Sequence, residues 1–240
     1  MRKPIILVLS ALLAIAATLS AVAFAGSSSE KGRTDPFKRA QLRVEVNSSA
    51  GDAGIQLDMD HDPWKSITLK GPTGAIILDV STRGVLQGYG LTELFSESSE
   101  PPFEKFPLSE FKKLFPAGSY TLTGVTVDGA RLKSTITLTH DFPAGANITA
   151  PLTGSTVPRA GLVARWDAVT TPAGIDIVAY QVLAVSDALP TRTFSVHLPG
   201  SARSVSVPAE FLVLGGYKIE VLAIEVSGNQ TLSEVAFTVQ

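Results

Sequence analysis

The run Asp58-Met59-Asp60-His61-Asp62, with Asp52 just before it, is the densest set of candidate ligands in this chain of 240 residues. Alternate positions of a strand point the same way, so Asp58 and Asp60 share a face; with Asp62 they offer the oxygen ligands that a hard cation such as calcium takes. An EF-hand loop would need glycine where Pro63 stands and glutamate where Leu69 stands, so that template fails. The competing reading is a strand with an acidic solvent face that runs into an Asp-Pro turn before Trp64. No metal or other cofactor is assigned, and calcium at Asp58, Asp60 and Asp62 is the ion to test.

Catalytic groupings are missing from the sequence. There is no G-x-S-x-G, H-E-x-x-H or Walker loop, and GYGLTE lacks the third glycine of a dinucleotide loop. His61, His140 and His197 are far apart in the chain. Glu93, Glu97, Glu100, Glu104 and Glu110 surround the Ser/Pro-rich stretch SESSEPPFEKFP; paired carboxylates serve glycoside hydrolysis, but no sugar-stacking aromatic platform accompanies these, and they read as solvated charge. Phe95, Phe103, Phe106, Phe111 and Phe115 read as a plug at one end of a core. The expectation is a non-enzyme with no catalytic residues, a triad assembled only by folding being the alternative.

Composition narrows the partners. The formal charge is −2 and no basic cluster occurs, which argues against nucleic acid and against an anionic membrane surface. The absence of cysteine excludes disulfides, thiolate chemistry and a lipid-modified cysteine. The first residues, MRKPIILVLSALLAIAATLSAVAFA, pair Arg2 and Lys3 with an apolar run ending in an A-x-A site, the pattern of a signal peptide over residues 1–25. An uncleaved anchor is the other reading, since the run approaches the length that spans a bilayer. Either route takes the chain out of the cytoplasm, to the periplasm or medium. A protein or cell-envelope component is then the expected partner, with no membrane contact after cleavage and no feature that sets an oligomeric state.

The elements that would position these groups are strands. Residues 26–38 lack periodicity and read as a disordered lead-in. QLRVEVNSS and GIQLDMD alternate apolar and polar side chains, and WKSITLK, GAIILDVST and VLQGYGLTELF add further strands. LSEFKKLF reads as one helix with Ser109 as its cap, and AGSYTLTG and RLKSTITLTH as a hairpin turning at Asp128-Gly129. DFPAGANITAP interrupts the pattern and marks a boundary. Strands then recur from GLVARWDAV to TLSEVAFTV. The expected fold is all-β, two β-sandwich domains in tandem over residues 39–143 and 147–240. Three N-x-[ST] sequons stand at Asn47, Asn147 and Asn229.

Trp166, Tyr180 and Tyr217 give the second half its character. With Trp166 in its second strand, Tyr180 in its third and Tyr217 opening YKIEVLAIEVSGN, it resembles a fibronectin type III domain. That resemblance implies a tryptophan-filled core and a late tyrosine corner, although Leu212 stands five residues before Tyr217 and Phe211 six, where the family commonly has leucine. AGSYTLTG is similar to the last strands of bacterial immunoglobulin-like or carboxypeptidase-regulatory-like sandwiches. The tandem as a whole is similar to exported bacterial fibronectin type III domain-containing proteins, for which the family implies no activity.

If Tyr217, Ile219, Val221 and Ala223 face inward, as the resemblance implies, Leu222 and Ile224 face outward beside Leu183 and Val185 of the neighbouring strand. Leu183, Val185, Leu222 and Ile224 then form an exposed apolar patch, an interface for the other domain, a second copy or another protein. The functional expectation is an exported non-catalytic binding or structural protein. The alternative is a calcium-dependent or carbohydrate-binding accessory protein using the Asp58 to Asp62 edge.

Overall fold

Alternation becomes a chain of strands in the computed structural model, which describes residues 34–240. The expected signal peptide and the start of the lead-in lie outside the described residues. The first half holds β1 (Thr34–Asp35), β2 (Arg39–Asn47), β3 (Asp52–Lys70), β4 (Ile76–Ser81), β5 (Leu91–Glu97), β6 (Gly118–Thr126) and β7 (Arg131–Leu138), with the short helices α1 (Leu86–Tyr89) and α2 (Leu108–Leu114). The second holds β8 (Ile148–Ala150), β9 (Thr156–Val157), β10 (Val163–Trp166), β11 (Ile177–Ser186), β12 (Thr193–Pro199), β13 (Ser204–Ser206), β14 (Gly215–Glu225) and β15 (Gln230–Val239). The fold is all-β, two sandwiches in tandem, each wrapped around its own apolar cluster.

Strand β3 turns the corner of the first sandwich. Its early residues pair with β2 and β5 and its later ones with β4 and β6, and the ladder to β5 jumps from Asp60 to Trp64. Pro63 sits in that jump, where its missing N–H interrupts no pairing. The Asp-Pro step is therefore a kink within one 19-residue strand, a correction to the turn expected there. Residues 34–38 also differ from a disordered lead-in: Thr34 and Asp35 pair in parallel with Arg131 and Leu132, and Phe37 is buried in the core with its N–H donated to Ser134 Oγ at 3.0 Å.

Helix α2 begins after Pro107 without a side-chain cap, so Ser109 lies inside the first turn rather than before it, and Phe111 is the face it buries. VLQGY is helical over α1, where Gly88 and Gly90 disfavour a strand. The hairpin of β6 and β7 forms as expected, with Gly129 at φ 96° supplying the left-handed turn position.

Trp166 packs on Tyr180 with ring centroids 5.4 Å apart inside the second sandwich. Tyr217 Oη accepts the Val213 N–H at 2.9 Å, a tyrosine corner closed four residues back with Leu212 fully buried beneath it. The first sandwich has a counterpart: Tyr120 Oη donates to the Pro116 carbonyl at 2.9 Å, also four residues back.

Candidate functional site

A strand on the surface of a sandwich buries alternate side chains, and four strands here break that rule. Ala53 to Met59 on β3, Val182 to Ser186 on β11, Ile219 to Ala223 on β14 and Gln230 to Ser233 on β15 are buried without alternation. Both faces of these segments are covered. One face belongs to each sandwich's own core; on the other, Gln56 and Gln230 meet across a joint between the sandwiches, while Asp58 is covered by Arg39 of its own sandwich.

Backbone pairing runs through that joint. Gln230, Thr231 and Leu232 of β15 pair in parallel with Glu45, Val46 and Asn47 of β2, and the Ser48 N–H reaches the Leu232 carbonyl at 2.9 Å. Asn229 clamps three segments: its Oδ1 accepts the Val44 N–H at 2.9 Å, and its Nδ2 donates to Thr139 Oγ1 at 2.8 Å and to the Thr139 carbonyl. Thr231 Oγ1 holds the connecting segment through the Pro143 carbonyl at 2.7 Å. Ser48 Oγ and Ser233 Oγ lie 2.9 Å apart, and a Cβ on Gly145 would fall 2.3 Å and 2.5 Å from them, so only glycine fits. Asn229 is 1% exposed, which removes the third sequon from the surface.

Three of the four patch residues form a buried cluster beside this joint, through Leu232, which pairs with Asn47. Leu183, Val185 and Leu222 are 3%, 7% and 3% exposed and cluster with Leu232, while Ile224 is half-buried beside Gln230. Polar groups surround them. Gln56 donates to Glu45 Oε2 at 3.0 Å and to Glu97 Oε1 at 2.7 Å, and accepts from Arg43 Nε at 2.8 Å; Gln230 also donates to Glu45 Oε2. Glu45, Glu97 and Glu100 bring carboxylate oxygens within 4.8 Å of one another, the one such acidic group among the described residues. Glu100 lies over Gly54, where a Cβ would come 2.7 Å from its Oε1.

The joint disfavours charge. Burial, and then Glu97, Glu45 and Asp52, push the Glu100 carboxyl up to about 8. Burial and Glu234 push Glu220 up to about 7 against the pull of Lys218. Burial also raises Glu45, whose bond from Gln230 opposes the rise, and raises Asp52. Buried oxygens of Asp52, Glu100 and Glu220 have no hydrogen-bond partner.

The acidic run sits elsewhere on the first sandwich, except for Asp52. Asp58 accepts from Arg39 Nε at 3.1 Å, Asp62 pairs with Lys38 at 2.5 Å, and Asp60 is part-buried. Arg39 and Lys38 thus supply the positive charge beside two of the three expected ligands. His61 and Asp62 line a groove of about 440 Å³ with Tyr89, Thr126 and Asp128. His140 is held by the Phe115 carbonyl at 2.8 Å.

Comparison with known proteins adds little to this geometry. No protein-family profile and no curated protein matches the chain. Among solved structures, the chain is similar to the FN1-FN3 domains of chicken CNTN1 at 12% identity and TM-score 0.31, over 85% of this chain and 64% of that one. It is similar to a tetra-tandem repeat from the extending region of a large adhesion protein at 16% and 0.27, over 84% and 50%. A third is a structure of a 1.5-MDa bacterial ice-binding adhesin, at 12% and 0.27, over 86% and 65%. The chain thus spans between half and about two thirds of these structures. At such scores the joint must be read from this chain alone.

Sequence reasoning placed Leu183, Val185, Leu222 and Ile224 on one outward face as an exposed patch, where the first three are buried, and missed Asn229, Gln56, Gln230, Glu45 and Glu220. The available signal was Glu220 itself, a carboxylate in the otherwise apolar run IEVLAI.

Proposed function

We propose that the protein is an exported, non-catalytic structural or binding module made of two domains, residues 39–143 and 147–240, that act as one rigid body. The observation that carries this reading is the β2–β15 pairing, which continues backbone hydrogen bonds from one sandwich into the other. A flexible tether would leave such edges apart, and interfaces between domains are more often separable. The rigid body holds its outer surfaces at a fixed separation and angle, which suits a spacer or a two-point binder of a protein or envelope component. Rotational correlation times tested by NMR relaxation should give one tumbling rate for both sandwiches. Two independent rates would end this reading.

A second reading rests on the groove beside His61 and Asp62, rimmed by Tyr89, which is 79% exposed. An exposed aromatic beside carboxylates is suited to stacking a sugar ring and accepting its hydroxyls. Pull-down on cell-wall polysaccharide should then be lost in Tyr89→Ala; equal retention of parent and variant would remove it. Among the described residues no helix is long and apolar enough to cross a membrane.

A further inference from the structure

The joint gathers more carboxyl groups than it matches with cations. Glu45, Asp52, Glu97 and Glu100 come from the first sandwich, and Glu220 and Glu234 from the second. The cations beside them are Arg43 and Lys218. Arg43 Nε is engaged by Gln56, and Lys218 Nζ binds both oxygens of Glu234 at 2.8 and 3.0 Å. One oxygen each of Asp52, Glu100 and Glu220 is left buried without a partner, and Glu220 is 3% exposed. An ionised carboxylate so placed is costly, whereas a neutral carboxylic acid is tolerated and carries its own donor.

We infer that a proton seals this joint: the sandwiches stay closed on one another while Glu220 is a neutral acid, with Glu100 neutral beside Glu45 on the first sandwich, and ionisation of Glu220 admits water and loosens them. The inference rests on the rigid-tandem reading and adds its control. Each ionisation passes a proton to solvent, and no other reactant takes part.

The groups that face the pair work in one direction. Glu220 meets Glu234 from β15 and Glu45 from β2; Lys218 of its own strand opposes them, and its register partner on β11 is the uncharged Leu183. Glu100 meets Glu97, Glu45 and Asp52. The rise of Glu220 to about 7 and Glu100 to about 8 puts both ionisations in a physiological to mildly alkaline range. A carboxyl raised by closure stabilises the closed state fully below its open-state value, and that contribution is lost as pH climbs through the closed-state value. His197, lowered by burial and by Arg43, acts at the acid end and opposes closure there, so the window begins above its range.

The test places one dye on each sandwich of the full chain, produced through its own export route. Cysteine is absent, so Thr73→Cys and Thr191→Cys label cleanly at two exposed positions. Single-molecule energy transfer is followed from about pH 6.5 to about pH 9 in chelator, with the buried Trp64 and Trp166 reporting the integrity of each core. The expected result is a distance distribution that broadens as pH rises while both tryptophan signals hold, and a flat profile in Glu100→Gln, Glu220→Gln. A parent unchanged across the range, or a double variant that broadens as the parent does, overturns the inference. Closure at alkaline pH by millimolar calcium, lost in Glu97→Gln, would also overturn it, since the cluster would then be a cation site. If the double variant unfolds, Glu220→Met alone serves, with the same flattening expected. A joint broad at every pH would sink the rigid-tandem reading itself; one narrow at every pH would sink only the proton seal.

Discussion

Glu220 on β14 and Glu234 on β15 stand directly opposite one another, and Lys218 gives its hydrogen bonds to Glu234. Like charges across a strand pair repel, and here one of them is also shut away from water.

Replacing Glu220 with glutamine should therefore stabilise the protein in alkali and leave it nearly unchanged in acid. The sign follows from the raised carboxyl: the parent's stability falls as pH rises from about 4.5 towards the value of about 7 that Glu220 has when buried. The expected gain is about 1 to 3 kcal/mol at pH near 8, a rise of a few degrees in Tm. Thermal melts of parent and variant at pH near 5 and near 8 check it, and equal Tm differences at both would refute the assignment.

Asn229→Ala should cost about 1 to 3 kcal/mol, because the Val44 N–H and the Thr139 carbonyl lose their side-chain partner inside the joint. Hydrogen exchange should accelerate first at Val44, ahead of global unfolding, if the clamp holds β2. Exchange at Val44 that keeps the parent's rate would show that the pairing of β2 and β15 stands without it.

Tyr217→Phe and Tyr120→Phe each remove one corner hydrogen bond, in separate sandwiches. Each should cost about 1 kcal/mol. With no shared partner the two losses should add in the double variant, and a departure beyond about 0.5 kcal/mol in denaturant unfolding would mean that the cores communicate through the joint.

Gly145→Ala should disrupt the joint without touching either core. Its methyl group would press on Ser48 and Ser233, breaking the bond between them. The expected signature is broader domain motion with unchanged tryptophan fluorescence.

Leu222→Ala should cost about 2 to 5 kcal/mol, as a buried leucine does and a surface one does not. Urea titration distinguishes the two, since a change below 0.5 kcal/mol is what an exposed position shows.

The strands were legible because alternation is a local consequence of burying one face against a core. Leu42 and Val44, Tyr217 and Ile219, and the glycine turn at Gly129 all follow from side-chain type and spacing, as does the lack of any disulfide. What alternation could not reveal was a second burial of the opposite face. Arg43, Glu45, Gln56 and Glu220 have the composition of a solvated surface, and the polarity that makes them read so is what the joint encloses. Asp-Pro at 62–63 read as a turn because proline ends most ladders, but a bend in β3 gave it a place where no pairing is lost. Gln230 meets Glu45 across a sequence separation of 185 residues, and Asn229 meets Val44 across the same span. Residue type fixed the two cores; only the packing of one sandwich on the other decided that Gln56, Glu220, Asn229 and Gln230 would be buried between them.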